Sequence, residues 1–99
     1  MRIVIAGSGA VGSHLAKLLS NEEQDITVVD SDAEKLAMLD ANYNLLTVKG
    51  SPTSFSGLRQ AGVEHCDLFI AVTPFETRNI IACAIAKSLG ATKTVARID

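Results

Sequence analysis

The sequence predicts an α/β domain built on a doubly wound parallel sheet, and three observations carry that expectation. Short apolar runs alternate with stretches of helical periodicity along the whole chain. Composition is 47% hydrophobic but only 4% aromatic, the aliphatic make-up of strands buried on both faces. Glycines and other turn formers punctuate the chain between those segments, so the connections are short. Strands and helices that alternate in this way imply parallel strands joined by right-handed crossovers. The expected architecture is therefore Rossmann-like, in three layers, with spatial strand order 3-2-1-4-5.

Each element has its own signal. Ile3 to Ala6 is an apolar run ended by Gly7 and reads as a buried strand. Val11, Leu15, Leu18 and Leu19 recur at helical spacing with His14 and Lys17 on the other face, which predicts a helix from about Ala10 to Ser20. Ile26 to Val29 is the second strand, with Asp30 behind it. Ser31-x-x-Glu34 has the form of a capping box and opens a helix to about Ala41. Leu45 to Val48 is a shorter, less apolar strand, as suits a sheet edge. Gly50 to Ser54 is dense in turn formers and predicts a loop. Phe55, Leu58 and Ala61 suggest a short helix closed by Gly62. Leu68 to Val72 is a fourth strand ending at Thr73-Pro74, Glu76 to Leu89 a longer helix with Gly90 behind it, and Thr94 to Ile98 a fifth strand.

The run from Ile80 to Ala86 leaves that longer helix almost no polar stripe, so it is expected to be buried on most sides. In a chain of 99 residues, a second copy of the chain or further polypeptide has to cover its outer face. A homo-oligomer, dimer or higher, is expected. The chain stops at Arg97-Ile98-Asp99 without a closing helix, so residues 1–99 are expected to be one domain of a longer polypeptide.

A net charge of -2 provides no long-range attraction to a phosphate backbone, which argues against nucleic acid as a partner. No apolar run approaches the roughly 20 residues that cross a bilayer, so direct membrane insertion is not expected and a cytoplasmic location is. Cys66 and Cys83 fall in separate elements without metal-ligand spacing, and adjacent His65 and Cys66 do not converge on one ion. Both cysteines read as reduced core residues, and His14 and His65 as surface side chains.

Chemistry concentrates in Gly7-Ser8-Gly9-Ala10-Val11-Gly12, a G-x-G-x-x-G pattern with a strand before it, a helix after it and Asp30 at the end of the next strand. Gly7 allows the sharp turn, Gly9 lets the backbone approach a pyrophosphate, and Gly12 lets helix and strand pack closely. The helix N-terminus then offers free N–H groups to phosphate. Asp30 is placed to accept from both hydroxyls of an adenosine ribose, favouring NAD over NADP. Asp32 and Lys35 read as solvated surface residues near that ribose. Thr73 and Pro74 end the fourth strand beside the reversal of strand order, where ligands of open α/β sheets bind. Arg78 and Arg97 are basic groups for a phosphate or simply surface charge, with Arg97 near the carboxyl end of the fifth strand.

Taken together, Ile3-Val4-Ile5-Ala6-Gly7-Ser8-Gly9-Ala10-Val11-Gly12, Ile26-Thr27-Val28-Val29-Asp30, Ala61-Gly62-Val63, Asp67-Leu68-Phe69-Ile70-Ala71-Val72-Thr73, Asn79 and Ala96-Arg97-Ile98 resemble the N-terminal domain of TrkA-type potassium-uptake regulators, relatives of the RCK or KTN domains. The resemblance implies a nucleotide, NAD(H) or else ATP or ADP, on Gly7, Ser8, Gly9, Ala10, Val11 and Gly12, with its ribose on Asp30. It implies further contacts at Ser51, Thr73, Pro74 and Arg97. It also implies a regulatory role without catalysis, at the inner face of the membrane, with a potassium transporter or channel subunit as partner. Two positions depart from the family pattern: Ser51 stands where many members carry Asp, and the acidic run before Asn79 is reduced to Glu76.

The competing class is an NAD-dependent oxidoreductase, since the same fingerprint opens many dehydrogenases and fold alone does not decide function. A dehydrogenase needs a further part that sets substrate and an acid/base group against the nicotinamide. Neither histidine falls at the carboxyl edge of a strand, where it could act. A cofactor-binding module of some other redox protein is the third reading.

Overall fold

The structure is a computed structural model that describes residues 1–98. Strands β1 (Arg2–Ala6), β2 (Asp25–Asp30), β3 (Leu46–Lys49), β4 (Leu68–Ala71) and β5 (Lys93–Ala96) form one parallel sheet in the order β3-β2-β1-β4-β5. Helix α1 (Ala10–Ser20) joins β1 to β2 and α2 (Ala33–Asn42) joins β2 to β3. The short α3 (Phe55–Gln60) and a 3₁₀ turn (Val63–His65) lead into β4, and α4 (Glu76–Leu89) joins β4 to β5.

Alternation along β1 sorts the core into two halves. Ile3 and Ile5 point to the face that α1 and α2 cover, where they pack with Ala16, Ile26, Val28, Leu36 and Leu39. Val4 and Ala6 point to the other face, where Phe69, Leu58, Val63, Ala82 and Ala86 enclose them beneath α3, the 3₁₀ turn and α4. The three expected layers and the strand order are those observed. Because side chains alternate, a one-residue slip of β1 would exchange the two sets, so its register with β2 (Ile3 to Ile26) and β4 (Ile3 to Leu68) is tightly specified. Phe69, fully buried at the centre, is the largest side chain in that core, and its truncation to alanine is expected to cost about 3–5 kcal/mol.

Several sequence-based expectations need correction. The cap of α2 is Asp32, one residue after Ser31: its Oδ1 accepts from the N–H groups of Glu34 and Lys35 at 3.0 and 3.2 Å. The shift has a cause, because Asp30 Oδ1 accepts the Asp32 N–H at 2.8 Å and keeps the chain extended one residue further. The fifth strand spans Lys93–Ala96 rather than Thr94 to Ile98. Its pairing with β4 starts earlier, Leu68 opposite Lys93, and it ends where β4 ends, with Ala71 opposite Ala96. The 3₁₀ turn before β4 was not anticipated; Gly62, at φ +81°, turns the chain into it. Asp99, at the end of the run from Arg97, lies outside the described residues.

Helix α4 is not buried on most sides within one copy of the chain. Asn79, Ala82 and Ala86 are buried against the sheet, whereas Ile80 and Ile81 remain 48% and 44% exposed. Cys83, Ile85 and Leu89 pack partly against the same core, and Ile80 and Ile81 point away from it.

Candidate functional site

The turn from β1 into α1 owes its shape to two glycines that nothing else can replace. Gly7 sits at φ +117°, a conformation L side chains rarely adopt, and a Cβ there would lie 3.0 Å from the Thr73 backbone nitrogen. Gly12 packs its Cα against the turn itself; a Cβ would meet the Gly7 carbonyl oxygen at 1.9 Å. Gly9 is different. Its φ of -72° suits any residue, and beyond its two chain neighbours no protein atom lies within 4 Å of where its Cβ would be. Neither backbone strain nor packing therefore calls for glycine at position 9, while a ligand lying against the backbone does.

Anchoring bonds hold the turn open at this place. Gly7 N–H donates to the Val29 carbonyl at 3.0 Å and the Ser13 hydroxyl to the Ser8 carbonyl at 2.7 Å. Ser8 N–H donates to Asp30 Oδ2 at 2.7 Å. The Asp30 carboxylate thus ties the end of β2 to the turn after β1 and still has lone pairs to offer, since each oxygen uses one of two. Burial alone would raise its pKa. The N–H groups of Asp32 and Ser8, with the Ser8 hydroxyl dipole and the Lys35 charge, outweigh burial and hold the carboxyl below its ordinary value. It is an anion at neutral pH. Ser8 is almost fully buried, and its hydroxyl, though close enough to influence Asp30, meets the geometry of a hydrogen bond with no group among the described residues. An unpaired buried hydroxyl beside free backbone donors is suited to a ligand oxygen.

The four helices treat their N-termini unequally. Asp32 caps α2, which carries Glu34 in its first turn; Ser54 caps α3; α4 has Glu76 in its first turn. Helix α1 has neither a side-chain cap nor an acid there, so the N–H groups of Ala10, Val11 and Gly12 and the positive end of the helix dipole are left for an external anion. A hollow of about 340 Å³ opens beside the turn, bordered by Ser8, Gly9, Ala10, Ser13, Lys35 and Tyr43. A larger one of about 610 Å³ lies near the amino ends of β1 and β2, with Arg2, Asp25 and His65 in its wall, and has none of this anion-directed chemistry.

The remaining site residues gather at the carboxyl edge of the sheet on either side of the turn. Ser51 follows β3 next to Asp30, because Gly50 N–H donates to the Asp30 carbonyl at 2.9 Å; its hydroxyl lies 3.1 Å from that of Thr53. Thr73 and Pro74 follow β4, and Arg97 follows β5 with its N–H donating to the Ala71 carbonyl at 2.9 Å. Thr73 is 7% exposed and turns its hydroxyl inward to Asn79 Oδ1 at 2.6 Å, so its part in any site is to shape the wall. Arg78 lies over the Phe75 ring, 4.2 Å from its centroid. Asp32 and Lys35 are exposed and 4.0 Å apart. His14 lies on the exposed face of α1, and His65 in the 3₁₀ turn at the other end of β4. Burial pushes the thiols of Cys66 and Cys83 up, and neither is in a disulfide. Among the described residues no cluster of His, Cys, Asp or Glu could hold a metal ion.

Asn79 is the site-region residue whose role sequence reasoning missed. Its signal was available: it occupies the inward stripe Asn79, Ala82, Ala86 of α4, where a polar side chain must find partners.

These features define a class: a doubly wound domain whose glycine-rich turn and uncapped helix N-terminus border a crevice suited to an anion, with a strand-end carboxylate beside it. The chain belongs to the TrkA-N domain family, whose model matches residues 3–99. It is similar to the Trk system potassium uptake protein TrkA of Halomonas elongata, with 46% identity over 99 residues that cover 99% of this chain and 22% of that protein. The same span of the Haemophilus influenzae protein of that name is 42% identical, again covering 99% and 22%. The chain therefore spans about a fifth of the length of the curated relatives it matches. Among solved structures, the Kef CTD of Shewanella denitrificans in AMP-bound form superimposes with a TM-score of 0.80 at 18% identity, over 96% of this chain and 57% of that one.

Proposed function

We propose that this domain binds an adenine nucleotide across the Gly7 to Gly12 turn and serves as a regulatory, non-catalytic part of a potassium-uptake system. The observation that carries the nucleotide is Gly9, whose φ and open surroundings would admit a side chain that the glycine keeps out. NAD(H) is the favoured ligand, with ATP or ADP as alternatives. The free N–H groups of α1 and the Ser8 hydroxyl would take the phosphates and Asp30 the ribose hydroxyls. Asp30 is anionic, which disfavours the 2′-phosphate of NADP. The names of the full-length relatives and the AMP in the Kef structure support this reading.

Regulation needs only that the nucleotide favour one arrangement of an assembly over another. The assembly proposed is a dimer or larger, joined through the exposed Ile80 and Ile81 face of α4 and acting on a membrane potassium transporter or channel subunit from the cytoplasmic side. No described helix is long and apolar enough to cross a membrane itself. Calorimetric titration of the purified chain with NADH, NAD, NADPH, ATP and ADP tests the reading. Binding of at least one adenine nucleotide, with NADH preferred to NADPH, is expected. Failure of all five to bind overturns it, and protein-dependent oxidation of NADH by small carbonyl compounds moves the assignment to the oxidoreductase class.

A further inference from the structure

The buried amide of Asn79 makes four hydrogen bonds, and all of them go to the two strand ends that border the crevice. Its Oδ1 accepts from Thr73 N–H at 2.9 Å and from the Thr73 hydroxyl at 2.6 Å. Its Nδ2 donates to the Thr73 carbonyl at 3.0 Å and to the Arg97 carbonyl at 3.1 Å. A primary amide has two acceptor lone pairs and two N–H donors, so the full capacity of this side chain is used. Its orientation is fixed as well, because a backbone N–H only donates and a carbonyl only accepts. Asp at this position would set a carboxylate oxygen against two carbonyls, and an aliphatic residue of the same size would remove all four bonds.

The consequence is geometric. Arg97 has its N–H held by the Ala71 carbonyl and its own carbonyl held by Asn79, so the root of its side chain is fixed from both sides. Thr73 is pinned by N–H, hydroxyl and carbonyl together, and its nitrogen lies 3.0 Å from where a Gly7 Cβ would be. Asn79 thus joins the ends of β4 and β5 into one wall that abuts the turn after β1. Strand order puts this wall on the opposite side of the turn from Asp30 on β2. A dinucleotide whose pyrophosphate lies over the turn extends one nucleoside toward Asp30 and the other toward the wall.

We infer that Asn79 is a positioning residue that sets the affinity of this domain for the half of a dinucleotide remote from Asp30, by locking Thr73 and Arg97 into one wall. The inference rests on the proposed nucleotide function and extends it to a residue that touches no ligand. It separates two ligands: NADH spans both halves of the crevice, whereas AMP occupies only the Asp30 side and the turn.

The experiment titrates NADH and AMP against the wild-type chain, Asn79→Ala and Thr73→Val, with circular dichroism fixing a temperature at which each is folded. Asn79→Ala is expected to weaken NADH at least about tenfold while AMP changes by less than about twofold. A residue that merely stabilised the fold would weaken both ligands alike, and that result overturns the inference while leaving the nucleotide function standing. If Asn79→Ala does not fold, Thr73→Val decides: it removes only the hydroxyl partner, and NADH is expected to weaken with AMP spared, while equal effects or none refute positioning. A wild-type chain that binds neither ligand overturns the nucleotide function and this inference with it.

Discussion

Replacing Gly9 by alanine separates the glycine that the fold needs from the one that a ligand needs. The added Cβ enters space with no protein atom within 4 Å beyond its chain neighbours, on a backbone whose φ of -72° alanine adopts freely. Two small terms of opposite sign follow. Restricting the unfolded chain stabilises by about 0.4–1 kcal/mol, whereas alanine is a poorer N-cap than glycine by an amount of order 1 kcal/mol. The balance lies within about 1 kcal/mol of zero, or within about 8 °C in Tm for a domain of this size. Gly9→Ser keeps the entropic gain and adds a capping hydroxyl, so its Tm is expected to rise. Both variants put a side chain where a pyrophosphate would meet the backbone, and NADH affinity is expected to fall at least about tenfold, a loss of about 1.4 kcal/mol. Gly12→Ala is the contrast. Its Cβ would sit 1.9 Å from a backbone carbonyl oxygen that no rotamer change can move, so the penalty exceeds the usual ~1–3 kcal/mol of overpacking and threatens a total stability of about 5–15 kcal/mol. Thermal denaturation and calorimetry on the three variants read both quantities. A folded Gly9→Ala chain that binds NADH as tightly as the wild type would refute the placement of the ligand on this turn, and a Tm loss as large as that of Gly12→Ala would refute the claim of open space.

Asp30→Ala removes both the expected ribose carboxylate and the acceptor of the buried Ser8 N–H, so it is expected to cost about 1–3 kcal/mol of stability, while the exposed Asp32 N–H turns to water. Its NADH affinity should fall at least about tenfold and its NADPH affinity stay level or improve; equal losses for the two would show that the carboxylate supports only the fold. The Asp30 carboxyl is depressed in the folded chain, so its stabilisation is present above the ordinary carboxylate value of 3.8 and is lost as pH falls through the lower folded value. Denaturation curves should therefore be flatter with pH below about 4 in Asp30→Ala than in the wild type. Ile81→Glu changes a side chain already 44% exposed, so it should leave the monomer's stability within about 0.5 kcal/mol yet abolish self-association in sedimentation at micromolar concentration. A wild-type chain that sediments as a monomer there counts against the α4 interface.

What the sequence discloses about this molecule follows the range over which the physics acts. The alternation of strands and helices, and with it the strand order, was legible because apolar runs and helical spacing are local patterns that repeat, whereas the continuous apolar run of β1 does not say which residue faces which layer. Gly7 and Gly12 were legible because their spacing encodes a close approach within one turn. The meaning of Gly9 became firm only when the space around it was seen to be empty of protein, and no pattern of letters records that. The α2 cap was misplaced by one residue because the bond that shifts it comes from Asp30, and two acids and a serine in sequence all qualify as caps. Asn79 was hidden for a related reason: its partners are mostly backbone groups six and eighteen residues away, and a carbonyl has no letter. An apolar outer face on α4 was legible from its run of apolar residues, whereas which residues form it, Ile80 and Ile81 rather than Ile85, depends on how the helix docks on the sheet.

The place of β1 in the sheet also sets an order of events during synthesis. Its neighbours are β2, about twenty residues downstream, and β4, just before which the Asp67 carboxylate accepts the Arg2 N–H across 65 residues. Pairings that close such long loops form slowly, because chain entropy is lost before the contact rewards it. A ribosome releasing this chain therefore exposes first a half-sheet of β1, β2 and β3, with one flank of the central strand bare. Val4 and Ala6, which in the finished molecule lie under Phe69, Ala82 and Ala86, wait in water until the second half arrives. The most deeply protected strand of the native domain is thus the one at greatest risk of pairing with the wrong chain while it is being made.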